Sequence, residues 1–538
     1  MTSQLWAVSA KPGSGLTYDG SIMHDAEGEV STAADGMRRT AALTKASVST
    51  TGSKKLLVVR AYFDDYDFNI GAASPPGAQT HDNSYYENLL LGVKDYYQQQ
   101  SRGNLNLSFQ VLGPYKAANG YAYYGENDIY KNDKHPGILV REMLIKASGS
   151  AAADLDNCTV IIIHAGPGEE EGSVGSDFIW SHRSSLTDKK LSTVTINGKV
   201  FDDYIIVPEY TLWSNQGVTK AEATIGIICH EFGHVLGLSD AYDTSYATAG
   251  VGQWSLMGGG EWGTMGKGSV APGADPTPFM GWELVDLGWI DEENITPEVG
   301  KSKFITFNNM NSSSKVYRVN LSSDQYLTLE GKAKNVSGSG MAVYETGLLI
   351  TQIHEGIVEK YKTPKNTINA TSYRPHGSMV VEAVAENYKE KGLGNLWRGS
   401  ATKYRTTDTA LFRSDTLTSV GPEGIVSKEQ EEQSFILLFI STVICSGFVI
   451  SMLVSWYAGR KRLCTVIAAI TAAVCISLSC TISSGEDTPS SGTYDKGPNT
   501  NYYTTMNNVH TKTGYSGITI YNITCNEGGS GSFYIKKQ

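Results

Sequence analysis

The stretch from His230 to Asp240, H-E-F-G-H-V-L-G-L-S-D, constrains this chain more than any other. The residues before it, Ala223 to Cys229, are apolar or helix-tolerant and contain no Pro, so the pattern predicts a helix running into the motif. On a helix, His230 and His234 sit four apart and share one face. Two imidazoles so placed can bind one zinc ion, with Glu231 beside them as a base. Gly237 lets the chain leave the helix sharply, because only Gly takes a left-handed backbone cheaply. That turn would bring Asp240 round to offer a carboxylate oxygen as third ligand. Three protein ligands and one open position describe a catalytic rather than a structural zinc. The bland alternative, a helix with two incidental histidines, does not account for the Gly and Asp at their fixed distances from His230.

Composition narrows the partners. The 538 residues are 40% hydrophobic and 18% charged, enough to bury several cores, and the net charge of −11 with no basic stripe argues against nucleic acid. Of seven cysteines, four fall in one apolar tract and the other three form no C-x-x-C pair. They are neither a disulfide framework nor a thiolate zinc site.

Residues 1–53 are rich in Ser, Thr, Ala and Gly and read as a tail or linker. No apolar run follows Met1, so no N-terminal signal peptide is read. Leu56 to Phe63 is a strand candidate. The Asp64, Asp65 and Asp67 cluster after it reads as a solvated acidic turn, with calcium as the alternative. Helical spacing covers Tyr85 to Gln100 and Gly137 to Ala147, with a strand at Asn104 to Val111 between them. Thr159 to His164 is a continuous apolar run, as in a strand buried on both faces. His182 reads as a structural histidine, with a place in the cleft as the alternative. Val200 to Pro208 reads as an edge strand beside the cleft, whose free N–H and C=O groups could pair with an extended peptide. Beyond the motif, W-S-L-M-G-G-G predicts a tight turn placing Met257 under the metal as a soft apolar floor.

The segments H-E-F-G-H-V-L-G-L-S-D-A-Y-D, W-S-L-M-G-G-G and M-G-W-E-L-V-D-L-G-W together resemble the M6 family of metallopeptidases, the immune-inhibitor-A-like proteases, which belong with the metzincins. Upstream H-A-G-P-G-E-E-E-G and I-W-S-H-R resemble the same family, and the likeness covers about residues 55 to 420 plus 517 to 535. The resemblance implies an α/β (α+β) catalytic domain with a mixed twisted sheet and an active-site helix. It implies secretion, hydrolysis of peptide bonds in proteins, a catalytic zinc and, in many members, structural calcium. Carried over by position, the ligands are His230, His234 and Asp240, with Asp243 a nearby competitor for the third place. Glu231 is then the general base, Met257 the Met-turn residue and Tyr242 a candidate for holding the oxyanion.

Residues 304–307, 316–321 and 348–353 read as strands of a β-sandwich-like module, in which His354 and His376 are ordinary loop or core residues. Ser434 to Tyr457 is 24 residues without a charge, G-R-K-R follows, and Leu463 to Cys480 is a second apolar run. This predicts a transmembrane helical hairpin with its basic turn toward the cytoplasm. A buried soluble hairpin and a lipoprotein-like signal beginning at Arg460 are the other readings. Tyr502 to Gln538 resumes strand-like alternation. The chain thus divides into a tail at 1–53, a metzincin-like zinc metallopeptidase domain at 54–300, and a β-sandwich-like module at 301–421 plus 495–538. Between the halves of the module lie an apolar hairpin at 434–484 and a linker at 485–494. The function expected is that of a zinc endopeptidase acting on extracellular proteins, free or anchored at the cell surface through 434–484. A non-catalytic surface adhesin retaining the scaffold is the alternative, against which the presence of Glu231 counts.

Overall fold

A computed structural model describes residues 6–7, 49–68, 81–129, 132–171, 176–212, 221–244, 250–263, 272–335, 343, 346–362, 365–370, 376–381, 411–412, 417–421, 424–427, 502–506, 509–514 and 518–537. The tract at 434–484 lies outside them. Among the described residues no helix is long and apolar enough to cross a membrane, so the membrane hairpin gains no support.

The first sheet contains β1 (Trp6–Ala7), β2 (Gly52–Tyr62), β3 (Leu105–Lys116), β4 (Cys158–Pro167) and β5 (His182–Ser185). After the small hairpin of β6 (Val194–Ile196) and β7 (Lys199–Phe201), it is completed by β8 (Asp203–Leu212) and β9 (Ala221–Glu222). Its order is β1-β5-β8-β4-β2-β3, with β9 on the end of β8. Strands β3, β2, β4 and β8 run parallel, whereas β5 is antiparallel to β8 and β1 antiparallel to β5. Alternation sorts the apolar runs onto two faces. Leu56, Val58, Ile161, Ile163, Ile205 and Val207 face one core, and Leu57, Val59, Val160, Ile162, Tyr204 and Ile206 the other. Helix α1 (Asn83–Gln100) covers the first face through Tyr86, Leu90, Val93 and Tyr97. After the short α2 (Tyr121–Gly125), α3 (Pro136–Ala147) covers the second through Leu139, Val140, Met143 and Leu144.

Two sequence expectations are corrected. β8 is not an edge strand: β4 flanks it on one side and β5 on the other, so its backbone is already paired. An apolar run reports burial of both faces but not which strands stand beside it. The tail is also not wholly apart from the fold, since Trp6 pairs with Arg183 and Ala7 with His182 on β5. A two-residue strand is too short to show a period.

Helix α4 (Ile225–Val235) carries the motif and lies on the same face as α1; all its residues are buried. Tyr97 Oη donates to the Cys229 carbonyl (2.5 Å), and its ring meets Phe232 edge-on at 5.0 Å. Helix α5 (Gly281–Asp286) follows.

Downstream, one sheet holds β10 (Asp291–Asn294), β12 (Lys315–Asn320), β13 (Gln325–Lys332), β14 (Gly347–His354), β15 (Ser378–Val380) and β16 (Leu411–Phe412). A second holds β11 (Ser302–Phe307), β17 (Leu417–Gly421), β18 (Gly424–Ser427), β21 (Ile518–Cys525) and β22 (Gly531–Lys537), in the order β11-β22-β21-β17-β18. The strands β19 (Tyr502–Met506) and β20 (Val509–Gly514) form a separate hairpin. Leu327, Leu329, Leu348 and Ile350 of the first sheet share one core with Ile305, Phe307, Ile520, Phe533 and Ile535 of the second. This is the two-layer arrangement that the alternating strands predict. The boundary differs from the one expected at 300/301, because β10 already belongs to the sandwich. The outer face of β13 and β14, with Tyr326, Leu349 and Ile353, joins the core of α1 and α4. Helix α6 (Glu355–Tyr361) follows β14, and the loop after it reaches back to the motif.

Candidate metal centre

The motif helix ends as the sequence predicts. Gly237 has φ +105, its N–H donates to the His234 carbonyl (3.0 Å), and the Leu238 N–H donates to the Gly233 carbonyl (3.1 Å). This pair of bonds closes the last turn and reverses the chain. Asp240 is thereby set against both histidines, with its Oδ1 3.1 Å from His230 Nε2 and 3.2 Å from His234 Nε2. The other ring nitrogens are engaged by backbone carbonyls: His230 Nδ1 by Leu256 (2.9 Å) and His234 Nδ1 by Leu238 (3.0 Å). A carbonyl can only accept, so each Nδ1 holds its proton and both Nε2 atoms turn to the site.

His230, Glu231 and His234 are the one group of three or more His, Cys, Asp or Glu residues gathered within 4.8 Å among the described residues. All three, and Asp240, are buried. Neither carboxylate oxygen of Glu231 has a hydrogen-bond partner of ordinary geometry among the described residues. The Arg183 backbone N–H is turned toward it, but a fully buried carboxylate so sparsely bonded is costly unless something further binds beside it.

The electrostatics agree. Burial would lower His230, but its bond to Asp240 and the charges of Glu261, Asp240 and Glu231 outweigh that and push it up to about 10. Burial lowers His234 against the pull of Asp240. Burial would raise Asp240, yet His234 and His230 hold it below the usual carboxylate range. Burial pushes Glu231 well above that range, with His230 opposing and Asp240 adding to the effect. A pocket that draws a proton onto an imidazole between three carboxylates favours positive charge. Two imidazole nitrogens and one carboxylate oxygen are the donor set of a divalent transition metal, so the residues fit a zinc ion.

Below the helix, a Cβ built on Gly233 would come 2.6 Å from Met257 Sδ, so glycine is what lets the sulfur rest against the motif. The Met257 carbonyl accepts from the Ala241 N–H (2.6 Å), tying this turn to the loop that carries Asp240. Ser255 Oγ accepts from the Met257 N–H (2.9 Å) and donates to Glu283 (2.7 and 2.8 Å to its two oxygens). Glu330 of β13 accepts from the Gly281 N–H (3.1 Å) and pairs with the buried Lys332 (2.9 Å). A polar path thus runs from the methionine turn into the sandwich.

Tyr242 is buried with its ring 6.4 Å from that of His230, the planes 29° apart. Asp243 is buried on the same loop, but it is Asp240 whose oxygen faces the imidazoles. His182 is a buried structural histidine: it contacts the Trp180 carbonyl (2.7 Å) and Tyr204 Oη (3.3 Å), and burial lowers it to about 3. Asp64, Asp65 and Asp67 gather on no common point: Asp64 pairs with Lys116, Asp65 caps the Tyr121 N–H, and Asp67 accepts from Phe68. Asp64 and Asp65 are exposed, and no calcium site is shown among the described residues. The sequence did not single out Glu261, Glu283 or Asn366, because none stands at a telling distance from the motif.

A histidine pair on a buried helix, a carboxylate returned by a glycine turn and a methionine turn beneath them define a metallopeptidase domain. Comparison with known proteins narrows the class: residues 156–289 match the catalytic domain of Immune inhibitor A peptidase M6. The chain is 29% identical over 266 residues to the Pre-pro-metalloprotease PrtV of Vibrio cholerae serotype O1, an alignment spanning 40% of this chain and 28% of that protein. It is 27% identical over 311 residues to Immune inhibitor A of Bacillus thuringiensis subsp. alesti, spanning 47% of this chain and 43% of that one. The chain therefore spans less than half the length of these curated relatives.

Proposed function

We propose that the chain is a zinc-dependent endopeptidase that hydrolyses peptide bonds in proteins. The observation that carries this reading is the convergence of His230 Nε2, His234 Nε2 and Asp240 Oδ1 beside the buried Glu231. His230, His234 and Asp240 would hold the ion. When bound, zinc supplies Lewis acidity toward the scissile carbonyl and brings the pKa of a coordinated water to about 7.

The protein's own groups do the rest. Burial pushes Glu231 above the ordinary carboxylate range, which makes it a better proton acceptor than a solvated glutamate. It accepts the proton of the attacking water and delivers it to the leaving amine. The Leu256 and Leu238 carbonyls fix the two imidazoles in tautomer and direction. Tyr242, against His230, is the expected partner of the developing oxyanion. Action outside the cell or at its surface belongs to the same reading and rests on the family resemblance.

The test compares wild type with Glu231→Ala on casein, with and without a chelator. Wild type should cleave, chelation should abolish cleavage, and the variant should lose about 10²- to 10⁴-fold in kcat, the span of general-base catalysis. Equal turnover by the variant would remove Glu231 from the chemistry, and no cleavage by the zinc-loaded wild type would leave the adhesin reading in its place.

A further inference from the structure

We infer that Asn366, in the loop between α6 and β15 of the downstream sandwich, is a positioning residue for the metal ligand Asp240. The inference rests on the proposal that Asp240 is a ligand, and it adds that the peptidase site is completed by a side chain from the other half of the molecule.

Asn366 is buried and grips Asp240 at two points. The Asp240 backbone N–H donates to Asn366 Oδ1 (2.6 Å), and Asn366 Nδ2 donates in turn to Asp240 Oδ2. Donor identity sets the orientation of the amide. The Asp240 N–H can only donate, so it must meet the amide oxygen, and the NH2 group is left facing the carboxylate. One oxygen of Asp240 is thereby taken up by the amide. The other, Oδ1, alone faces the two imidazoles. The carboxylate is presented through a single oxygen, at a rotation set from outside the motif.

The loop that makes this grip is itself anchored. Asn366 sits at φ +52, a conformation asparagine tolerates better than most residues. The Thr367 N–H donates to the Tyr361 carbonyl (3.0 Å) and the Gly377 N–H to the Ile368 carbonyl (2.8 Å). Asn369 Nδ2 donates to the Ala241 carbonyl (2.6 Å), while Asn369 Oδ1 accepts from the Ser378 N–H (3.0 Å). Ile368, Asn369 and Ala370 are fully buried. The loop thus holds the backbone on both sides of the Asp240 peptide from a framework built by α6 and β15. Groups that orient a metal ligand in this way are commonly worth 10- to 100-fold in metal affinity.

The test uses the full chain as wild type, Asn366→Ala, Asn366→Asp and Asp240→Ala. Zinc affinity is read by competition with a chromophoric chelator. Ligand geometry is read from the visible absorption of the cobalt(II)-substituted protein, and the fold from the unfolding midpoint of the metal-free protein. Asn366→Asp keeps the acceptor for the Asp240 N–H but sets a carboxylate against a carboxylate, so it is near-isosteric and decides the matter should the alanine variant fold poorly. Both Asn366 variants should bind zinc about 10- to 100-fold more weakly and give an altered cobalt spectrum. Turnover at saturating zinc should fall through kcat more than through KM. Wild-type zinc affinity and cobalt spectrum in both Asn366 variants, with binding lost in Asp240→Ala, would overturn the inference and leave the ligand assignment standing. Wild-type binding in Asp240→Ala would overturn the ligand assignment, and the inference with it.

Discussion

The motif helix and the sandwich loop both act on Asp240, but they reach it along opposite routes. Helix α4 and its glycine turn deliver two imidazoles and two carboxylates from eleven consecutive residues, by helical spacing and one reversal. The loop after α6 delivers one amide from 126 residues away, and only because β13, β14 and α6 pack against the peptidase core. The first kind of geometry is local and survives as a sequence pattern. The second exists only when two sheets and a helix are assembled, and no spacing records it. A catalytic constellation can thus be legible while its support is not.

The sharpest way to break this contrast is to loosen the sandwich far from the motif. Glu330→Ala leaves Lys332 buried without its counter-ion, which should cost about 3–5 kcal/mol, measured by denaturant unfolding. Zinc affinity should fall with it if the sandwich holds the site. An unchanged midpoint would show that the joint between the halves is less closed than its burial indicates. A change inside the motif should cost less. Gly237→Ala forces a side chain into φ +105 with no compensating contact, since nothing lies within 4 Å of the new Cβ. The expected loss is about 1–3 kcal/mol in the same unfolding experiment. A neutral result would mean that the turn relaxes without moving Asp240.

The smallest effect concerns pH. Burial first, against the bonds from Ser255 and Met280, raises Glu283 to about 7. A carboxyl raised on folding binds more proton in the native state. Its contribution is therefore whole below the ordinary glutamate range and is lost as pH rises toward 7. Stability followed by thermal midpoint should decline across that window in wild type and decline less in Glu283→Gln. Identical slopes would show that Glu283 does not titrate there.

The legible part of the molecule follows the same division. The apolar run at 159–164 announced a strand buried on both faces, and β4 is that strand, because inward and outward alternation is a local property. The run at 200–208 read as one strand but is divided between β7 and β8, and the place of β8 beside β5 and β4 was not visible, because neighbours in a sheet are chosen by the whole topology. His230, Glu231 and His234 were fixed by spacing within one helix, and Asp240 by a glycine. Asn366 lies in T-P-K-N-T-I-N, where nothing distinguishes it from an ordinary polar loop. Ser255, Glu283 and Glu330 escaped for the same reason, since each has meaning only as a link in a buried polar path.

The pairing of β11 with β22 carries a last consequence. Residues near 305 find their partners near 533, so the sheet that backs the sandwich closes a very long ring of chain. Closing such a ring costs configurational entropy that grows only logarithmically, by about 0.6 kcal/mol for each doubling of its length. What separates β18 from β21 can therefore lengthen or shorten across evolution at little thermodynamic penalty, provided that both ends return to the same sheet. The architecture tolerates a passenger there, while the candidate metal centre is insulated from its size.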